Sequence, residues 1–598
     1  MELNNKKNLK LIVVALIMMI GGSLLASRVN SNFGKTIISE IKINGFAGNA
    51  ISAYLYTPKS IEMGKTAPAI LAAHGMNNQK NYMANTALEF ARRGFIVLNI
   101  DQPGHGNSTG INGDDNYGGP SALAYLRGLP NVDKNNIGLI GMSQGGFGVV
   151  SSAARAYPDG YSATYYMESE YTAPGSMDMT GADKLRNAAF CEGLVTELPV
   201  MIFVSKGSEA PISPVLQPLF NTKDPIVPNK IYGNITNGTA RILYQPFEDH
   251  VIATDSPAAI GYAIEWMQQT LKGGNNIEPS NQIWGWKLFG TAVALLGAIL
   301  FLFPFGSILL KTTWFKTLVE PQPEFRGFKG GAWWVGALIT AAIGPLLYAW
   351  SWLHSSVFMP GLFQNNTMWP LNMVNPTVLW NMILGVITIV LLFISHYLFG
   401  KKNSMALDQY GIGGIGWAKI LKSLLFAVCV IFPVYILVVY FDKVWYVDFR
   451  IWVVGLRPLN PARWSIIPSY SVVYAIYYVP IAMILCAYLR FNRGTSKIGT
   501  EMAAAAVMLV IGMIVWLALF YIPILVGGPL PWGKEVMEVT IIAMSAANSF
   551  PNIFVIPCMA CILVYFFRKT GRIYTGVFIV ILMVAWFNVG WNMFAVAL

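Results

Sequence analysis

Charge is scarce in this chain. Asp, Glu, Lys and Arg make up 12% of its 598 residues, against ~25% in an average soluble domain, and that shortage excludes a wholly water-soluble protein. Cysteine is scarcer still: five in the whole chain rule out a disulfide-built scaffold. The low hydrophobicity that marks disorder is also missing, because 54% of the residues are apolar. Histidine occurs five times, so an imidazole base has few candidates. The net charge of +11 is the one excess that suggests nucleic acid, and the placement of the basic residues removes that reading.

The apolar residues are unevenly spread. Leu11–Ala26 is an apolar run behind Lys6, Lys7 and Lys10; residues 33–274 have the mixed polarity of a soluble domain; from Trp284 to Leu598 the chain is almost continuously apolar. A membrane-crossing helix needs ~20 apolar residues. The tail offers eight such segments, near 286–309, 332–353, 377–399, 423–441, 467–489, 502–526, 540–566 and 575–597. The expected organisation is therefore an anchor over 1–28, a soluble domain over 33–274 and a membrane domain over 284–598. The stretch Phe441–Ile466 mixes aromatics with Asp442, Lys443, Asp448, Arg450, Arg457 and Arg463, and reads as an interfacial helix rather than a span.

Basic residues concentrate on the cytoplasmic side of membrane proteins. With the N-terminus inside, the inner segments hold Lys6, Lys7, Lys10, Lys311, Lys316, Arg326, Lys329, Lys401, Lys402, Lys419, Lys422, Arg490, Arg493, Lys497, Arg568, Lys569 and Arg572. The short outer loops hold only Lys443, Arg450, Arg457, Arg463 and Lys534, with Lys287 at a span's outer mouth. The expectation is a multi-pass cell-membrane protein with its soluble domain and C-terminus outside the cytoplasm. The positive charge is then a topology signal, and no nucleic acid is expected as a partner. Cleavage after Ala26 or Ser27 would put Leu24 or Leu25 three residues before the cut, where small residues are wanted, so the first run reads as an uncleaved anchor.

Within the soluble region, Ile38–Ile43 and Ile51–Tyr56 flank Asn44-Gly45 as a hairpin would. Strand-like runs follow at Ala67–Ala73, Phe95–Ile100, Ile137–Ile140, Tyr161–Met167, Pro199–Val204 and Arg241–Tyr244, with helical patterns between most of them. That alternation predicts an α/β fold, a mostly parallel sheet with helices on both faces, beside an all-α membrane domain. Ligands of such sheets sit at the carboxyl ends of the strands. There Gly141-Met142-Ser143-Gln144-Gly145 joins a strand to a helix, the required setting for a G-x-S-x-G nucleophile elbow. His74-Gly75-Met76 ends one neighbouring strand, and Asp101-Gln102-Pro103-Gly104-His105-Gly106-Asn107-Ser108 ends another.

Together these three motifs resemble the α/β-hydrolase superfamily over about 240 residues, in the family's order, and most of all its dienelactone hydrolase and prolyl-oligopeptidase-like serine hydrolases. The resemblance implies attack by Ser143 on a carbonyl, with the oxyanion held by the backbone N–H groups of Gln144 and Met76. It also gives His74 and His105 structural places. His354 and His396 fall in the membrane region, so His250, the one histidine after Ser143 within the domain, is the expected base. The acid has three candidates. Glu209 lies in the loop after Pro199–Val204, one residue before the position where relatives carry Asp; Asp224 sits in a similar segment further on; Glu168 ends the strand Tyr161–Met167. Tyr171–Leu198 reads as a cap over the site.

Other matches carry no chemistry. Gly411-Ile412-Gly413-Gly414-Ile415-Gly416 fits G-x-G-x-x-G without a strand leading into it, and Cys558 and Cys561 lie in an apolar helix. No metal or cofactor is expected. Ionisable residues are nearly absent from mid-span, where a transporter places them. The leading expectation is a membrane-bound serine hydrolase acting on a small-molecule or lipid acyl ester or thioester among membrane lipids. An acyltransferase or peptidase on an envelope component, and a transporter or sensor with a binding-only domain, are the alternatives.

Overall fold

The strands come in chain order as β1 (Thr36–Asn44), β2 (Ala50–Pro58), β3 (Ala67–Ala73), β4 (Ile96–Ile100), β5 (Val132–Met142), β6 (Ala163–Met167), β7 (Ala188–Cys191) and β8 (Arg241–Tyr244). They form one sheet in the order β1-β2-β4-β3-β5-β6-β7-β8. The Asn44-Gly45 hairpin is as expected, with Thr36 opposite Pro58 and Asn44 opposite Ala50. β2 lies antiparallel to β4, and every later pairing is parallel. The computed structural model describes residues 2–173, 176, 178–195, 216–358, 368–414, 416–491, 495–526 and 536–591. Two compact units share them, one mainly Leu25–Phe289 and the other Met1–Leu24, Gly290–Ile522 and Met544–Trp591.

In the first unit, β3, β4, β6, β7 and β8 are buried at every residue. A sheet covered on both faces leaves its inner strands no solvent-facing side. This explains why they read as short apolar runs and not as alternating ones. On one face Tyr166 stacks on Phe190, with ring centroids 4.9 Å apart. The other face carries the helix Pro257–Thr270, started by Ser256, whose hydroxyl accepts the Ala259 N–H at 3.1 Å, and by Pro257 in the first turn. That helix is tied down by Tyr165, which donates to the Ala259 carbonyl at 2.7 Å, and by the fully buried Trp266, whose indole N–H donates to the Thr164 carbonyl at 3.0 Å. It packs so closely on β5 that a Cβ at Gly138 would press on Met267, Ile70 and Leu271.

One expectation fails here. The segment assigned to a cap contains β7, which lies inside the sheet between β6 and β8. Four residues, Ala-Ala-Phe-Cys, are too few for a periodicity to show, and only pairing on both sides makes them a strand. The run Pro199–Val204 lies outside the described residues.

The second unit is helical apart from one hairpin. Eight helices among the described residues are long and apolar enough to cross a membrane, within Asn5–Asn30, Trp284–Leu309, Gly331–Ser355, Asn375–Gly400, Trp417–Trp445, Pro461–Ala487, Ile498–Leu525 and Ile541–Thr570. A shorter apolar helix, Tyr574–Gly590, matches the start of the last expected segment. Small residues bring their backbones together: a Cβ on Gly385 would strike the Ile476 carbonyl, and one on Gly512 the Ala341 carbonyl. The basic stretch after Phe441 is not the expected interfacial helix: between helices ending at Trp445 and starting at Pro461 it folds into a hairpin, Phe449–Ile451 against Val454–Leu456. Its arginines are no solvated face, because Arg450, Arg457 and Arg463 are each at most 2% exposed and Arg457 pairs with buried Asp448 at 3.0 Å.

Trp266→Ala removes a large side chain from a fully packed site and should cost about 3–5 kcal/mol. Trp266→Phe keeps most of the volume but removes the indole hydrogen bond to the Thr164 carbonyl, a loss of about 0.5–1.5 kcal/mol. Thermal unfolding of the purified protein should therefore rank wild type above Phe above Ala.

Candidate active site

At the end of β5 the backbone reverses within one residue. Ser143 has φ +50, a left-handed conformation that is uncommon for a residue with a side chain. Its amide N–H donates to the Met167 carbonyl at 2.9 Å, which continues the β5–β6 ladder, while its carbonyl accepts from Gly146 N–H at 2.8 Å and the Ser169 hydroxyl at 2.8 Å. The glycines are there for space. A Cβ on Gly141 would run into the Gly145 backbone, and one on Gly145 into the Ala73 carbonyl. The turn is thus clamped on all sides with Ser143 half-buried at its apex.

The loop after β3 lies against this turn, since a Cβ on Gly75 would come 3.1 Å from that of Ser143. Among the described residues the Met76 and Gln144 backbone N–H groups donate to no acceptor. His74 is buried below them. The Gln102 N–H donates to His74 Nε2 at 3.2 Å, so the proton is on Nδ1, which donates to the Gly75 carbonyl at 2.7 Å. His105 packs 5.2 Å from it, with Nδ1 3.1 Å from the Pro103 carbonyl. Gln144 Nε2 donates to Asn112 Oδ1 at 2.6 Å.

The same loop is anchored by a buried ion pair that the sequence did not announce. Lys80 is 1% exposed and Asp101 0%. The Lys80 ammonium donates to Asp101 Oδ2 at 2.7 Å and to the Ser52 hydroxyl at 2.9 Å, and the Lys80 backbone N–H donates to Asp101 Oδ1 at 2.6 Å. Asp101 also accepts the Asn107 N–H at 3.0 Å. Burial works to raise the Asp101 carboxyl, but the Lys80 charge, His74 and these hydrogen bonds together hold it below the usual range. One carboxylate therefore joins β2, the loop after β3 and the loop after β4.

His250 opens a short turn, His250–Asp255, capped by Asp249, whose carboxylate accepts the Val251 N–H at 2.9 Å. The chain leading to it runs beside the loop after β7: Glu192 N–H donates to the Tyr244 carbonyl at 2.9 Å, Leu194 N–H to Pro246 at 2.9 Å and Val195 N–H to Glu248 at 3.2 Å. Ser143 and His250 thus stand at the carboxyl ends of β5 and β8 in one sheet. Glu209 lies outside the described residues. Asp224 is exposed, beside Thr222 and Gln217. Glu168 is 2% exposed and has φ +47. Glu192, 1% exposed and immediately after β7, is a carboxylate that the sequence reading passed over. Its signal was an apolar run ending in Glu-Gly, concealed in the segment read as a cap.

Asp101→Asn leaves the buried Lys80 ammonium with only the partly exposed Glu40 carboxylate, 3.4 Å away, as counter-charge, and should cost up to about 3–5 kcal/mol. The pair's contribution follows the sign of a depressed acid. It is complete above the unfolded pKa of ~3.9 and is lost as pH falls through the lower folded value. The gap in unfolding midpoint between wild type and Asp101→Asn should hold steady from neutrality to about pH 5 and narrow below it.

Residues 64–164 match the family model described as serine aminopeptidase, S33. The match takes in β3, β4, β5 and the elbow, and stops short of Glu192 and His250. No curated protein matches the chain. Among solved structures, an esterase from Pyrococcus furiosus is similar at 11% identity, over 40% of this chain and 94% of its own, with a TM-score of 0.30. A bacterial heroin esterase is similar at 13% identity, over 40% and 86%, with a TM-score of 0.29. A hypothetical protein from Pseudomonas aeruginosa is 23% identical over 25% of this chain, at a TM-score of 0.21, and the chain spans 45% of that protein's length. The strand order and the left-handed serine turn give the sheet unit the α/β-hydrolase fold, and its residues 64–164 match a serine-hydrolase family model.

Proposed function

We propose that this domain hydrolyses carboxylic esters or thioesters through Ser143 at the outer face of a membrane. The observation that carries the reading is the strained elbow: Ser143 at φ +50 beside two backbone N–H groups, of Met76 and Gln144, that have no other acceptor among the described residues. Two preset donors next to a nucleophile are what a developing oxyanion needs. His250 supplies the base. β5 and β8 are separated by two strands, roughly 14 Å at the sheet, and the stretch from Gln245 to His250 spans up to about 20 Å when extended.

Glu192 takes the part of the acid. A carboxylate that fixes the imidazole tautomer must come from a loop beside the His250 strand, and β7 is that strand's neighbour, with its loop bonded along the path to His250. Glu209 is the rival. A peptidase is the second reading, favoured by the matched family's description as a serine aminopeptidase. The membrane setting rests on the eight apolar helices, and the outward placement on the distribution of Lys and Arg.

Fluorophosphonate probes should label the wild type and leave Ser143→Ala unlabelled; equal labelling of both would overturn the nucleophile. Turnover of an acyl-ester panel should exceed that of aminoacyl amides, and the reverse order would establish the peptidase. Glu192→Gln should lower kcat by about 10⁴-fold while Glu209→Gln stays near wild type, and the opposite pattern moves the acid to Glu209. An impermeant thiol reagent on intact cells should reach a cysteine placed at Asn112 and miss one at Asn403. Labelling of the second alone would invert the topology.

A further inference from the structure

We propose that Glu168, Cys191 and Glu248 form a binding site for one zinc ion at the carboxyl ends of β6, β7 and β8. One ligand atom from each residue lies within 4.8 Å of the others, and all three residues are buried, at 2%, 0% and 7% exposure. Donors of a tetrahedral zinc, bonded at about 2.0–2.3 Å, stand roughly 3.5 Å from one another, so a small contraction completes the set. Three protein donors leave the fourth position to water, the usual form of an open zinc site.

The donor types choose the metal. A thiolate beside two carboxylates suits zinc, whereas magnesium and calcium take oxygen alone. On binding, the Cys191 proton leaves to solvent and sulfur donates its electron pair to the ion, which is not reduced or oxidised.

Glu248 points to a ligand independently. Its Oε2 accepts a hydrogen bond from the Ser256 hydroxyl, while Oε1 is buried with no hydrogen-bond partner among the described residues. A carboxylate held by one oxygen with the other buried is poised to coordinate. Ser256 is itself fixed as the cap of the helix Pro257–Thr270, so the orientation is built in.

The backbone is shaped around the same point. Glu168 follows β6 in a left-handed conformation, φ +47, which an ordinary strand end does not require. Gly193 passes between the two acids: a Cβ there would stand 3.1 Å from Glu168 Oε1 and collide with the Glu248 carbonyl. The bound ion would tie three strand ends together two residues before His250. The site stands or falls independently of the nucleophile, because no step at Ser143 passes through it.

Full-length protein in detergent, stripped with a chelator and dialysed against Zn²⁺, is expected to retain about one ion per chain. The cobalt-substituted wild type should show a thiolate-to-cobalt charge-transfer band, absent from cobalt-treated Cys191→Ser. Ser256→Ala, which frees Glu248, should bind zinc about 10–100-fold more weakly, and Glu168→Gln should lose the ion, with circular dichroism confirming that each variant is folded. The proposal is overturned if folded wild type holds no stoichiometric zinc or binds cobalt without the band. Wild-type zinc affinity in Cys191→Ser or Glu168→Gln would overturn it as well. The wild-type measurements decide it even where a variant does not fold.

Discussion

Space at the end of β5 is the constraint on which the hydrolase domain depends. Three segments of backbone meet there, the β5 turn, the end of β3 and the start of the following helix, at separations that admit no Cβ at Gly141 or Gly145 and leave little room for one at Gly75. The one residue in the turn that keeps a side chain is Ser143, and the left-handed φ it must adopt lifts its hydroxyl off the sheet. Strain at one residue is sustained because the surroundings over-determine it: the Met167 carbonyl, the Ser169 hydroxyl and the Gly146 amide each hold one end of the same peptide units. A bulkier turn would separate Ser143 from the two amides beside it.

Apart from the open Met76 and Gln144 amides, the buried charge and the histidine around this turn each have a fixed partner. Lys80 and Asp101 secure the amide-bearing loop from below, and His74 secures Gly75 through a single tautomer. The same rule governs the helical unit at greater cost. There, buried arginines gather at the hairpin after Phe441, and Arg457 pairs with Asp448.

Much of this was legible in the chain. The elbow, the Asn44-Gly45 hairpin and the apolar segments are local patterns, each set by the residues that show it. Glu192 was not legible. β7 is four residues long and owes its identity to β6 and β8, which bring in partners 24 residues before it and some 50 after it. With the strand hidden in a segment read as a cap, the carboxylate that follows it was not weighed beside Glu209, Asp224 and Glu168. The ion pair of Lys80 was equally invisible, because nothing near it in the chain distinguishes it from a surface lysine.

What the sequence determined by itself was therefore whatever short-range sterics and hydrophobicity decide: where glycine is obligatory, where a strand must turn into a helix, and which segments are too apolar for water. The tertiary structure alone decided that the loop after β7 runs along the chain leading to His250, that Glu168, Cys191 and Glu248 come to one point, and that Asp101 meets Lys80. Those are contacts between strand ends and loops far apart in the chain. Their geometry is set by the order in which the strands pair, and strand order is a property of the whole sheet.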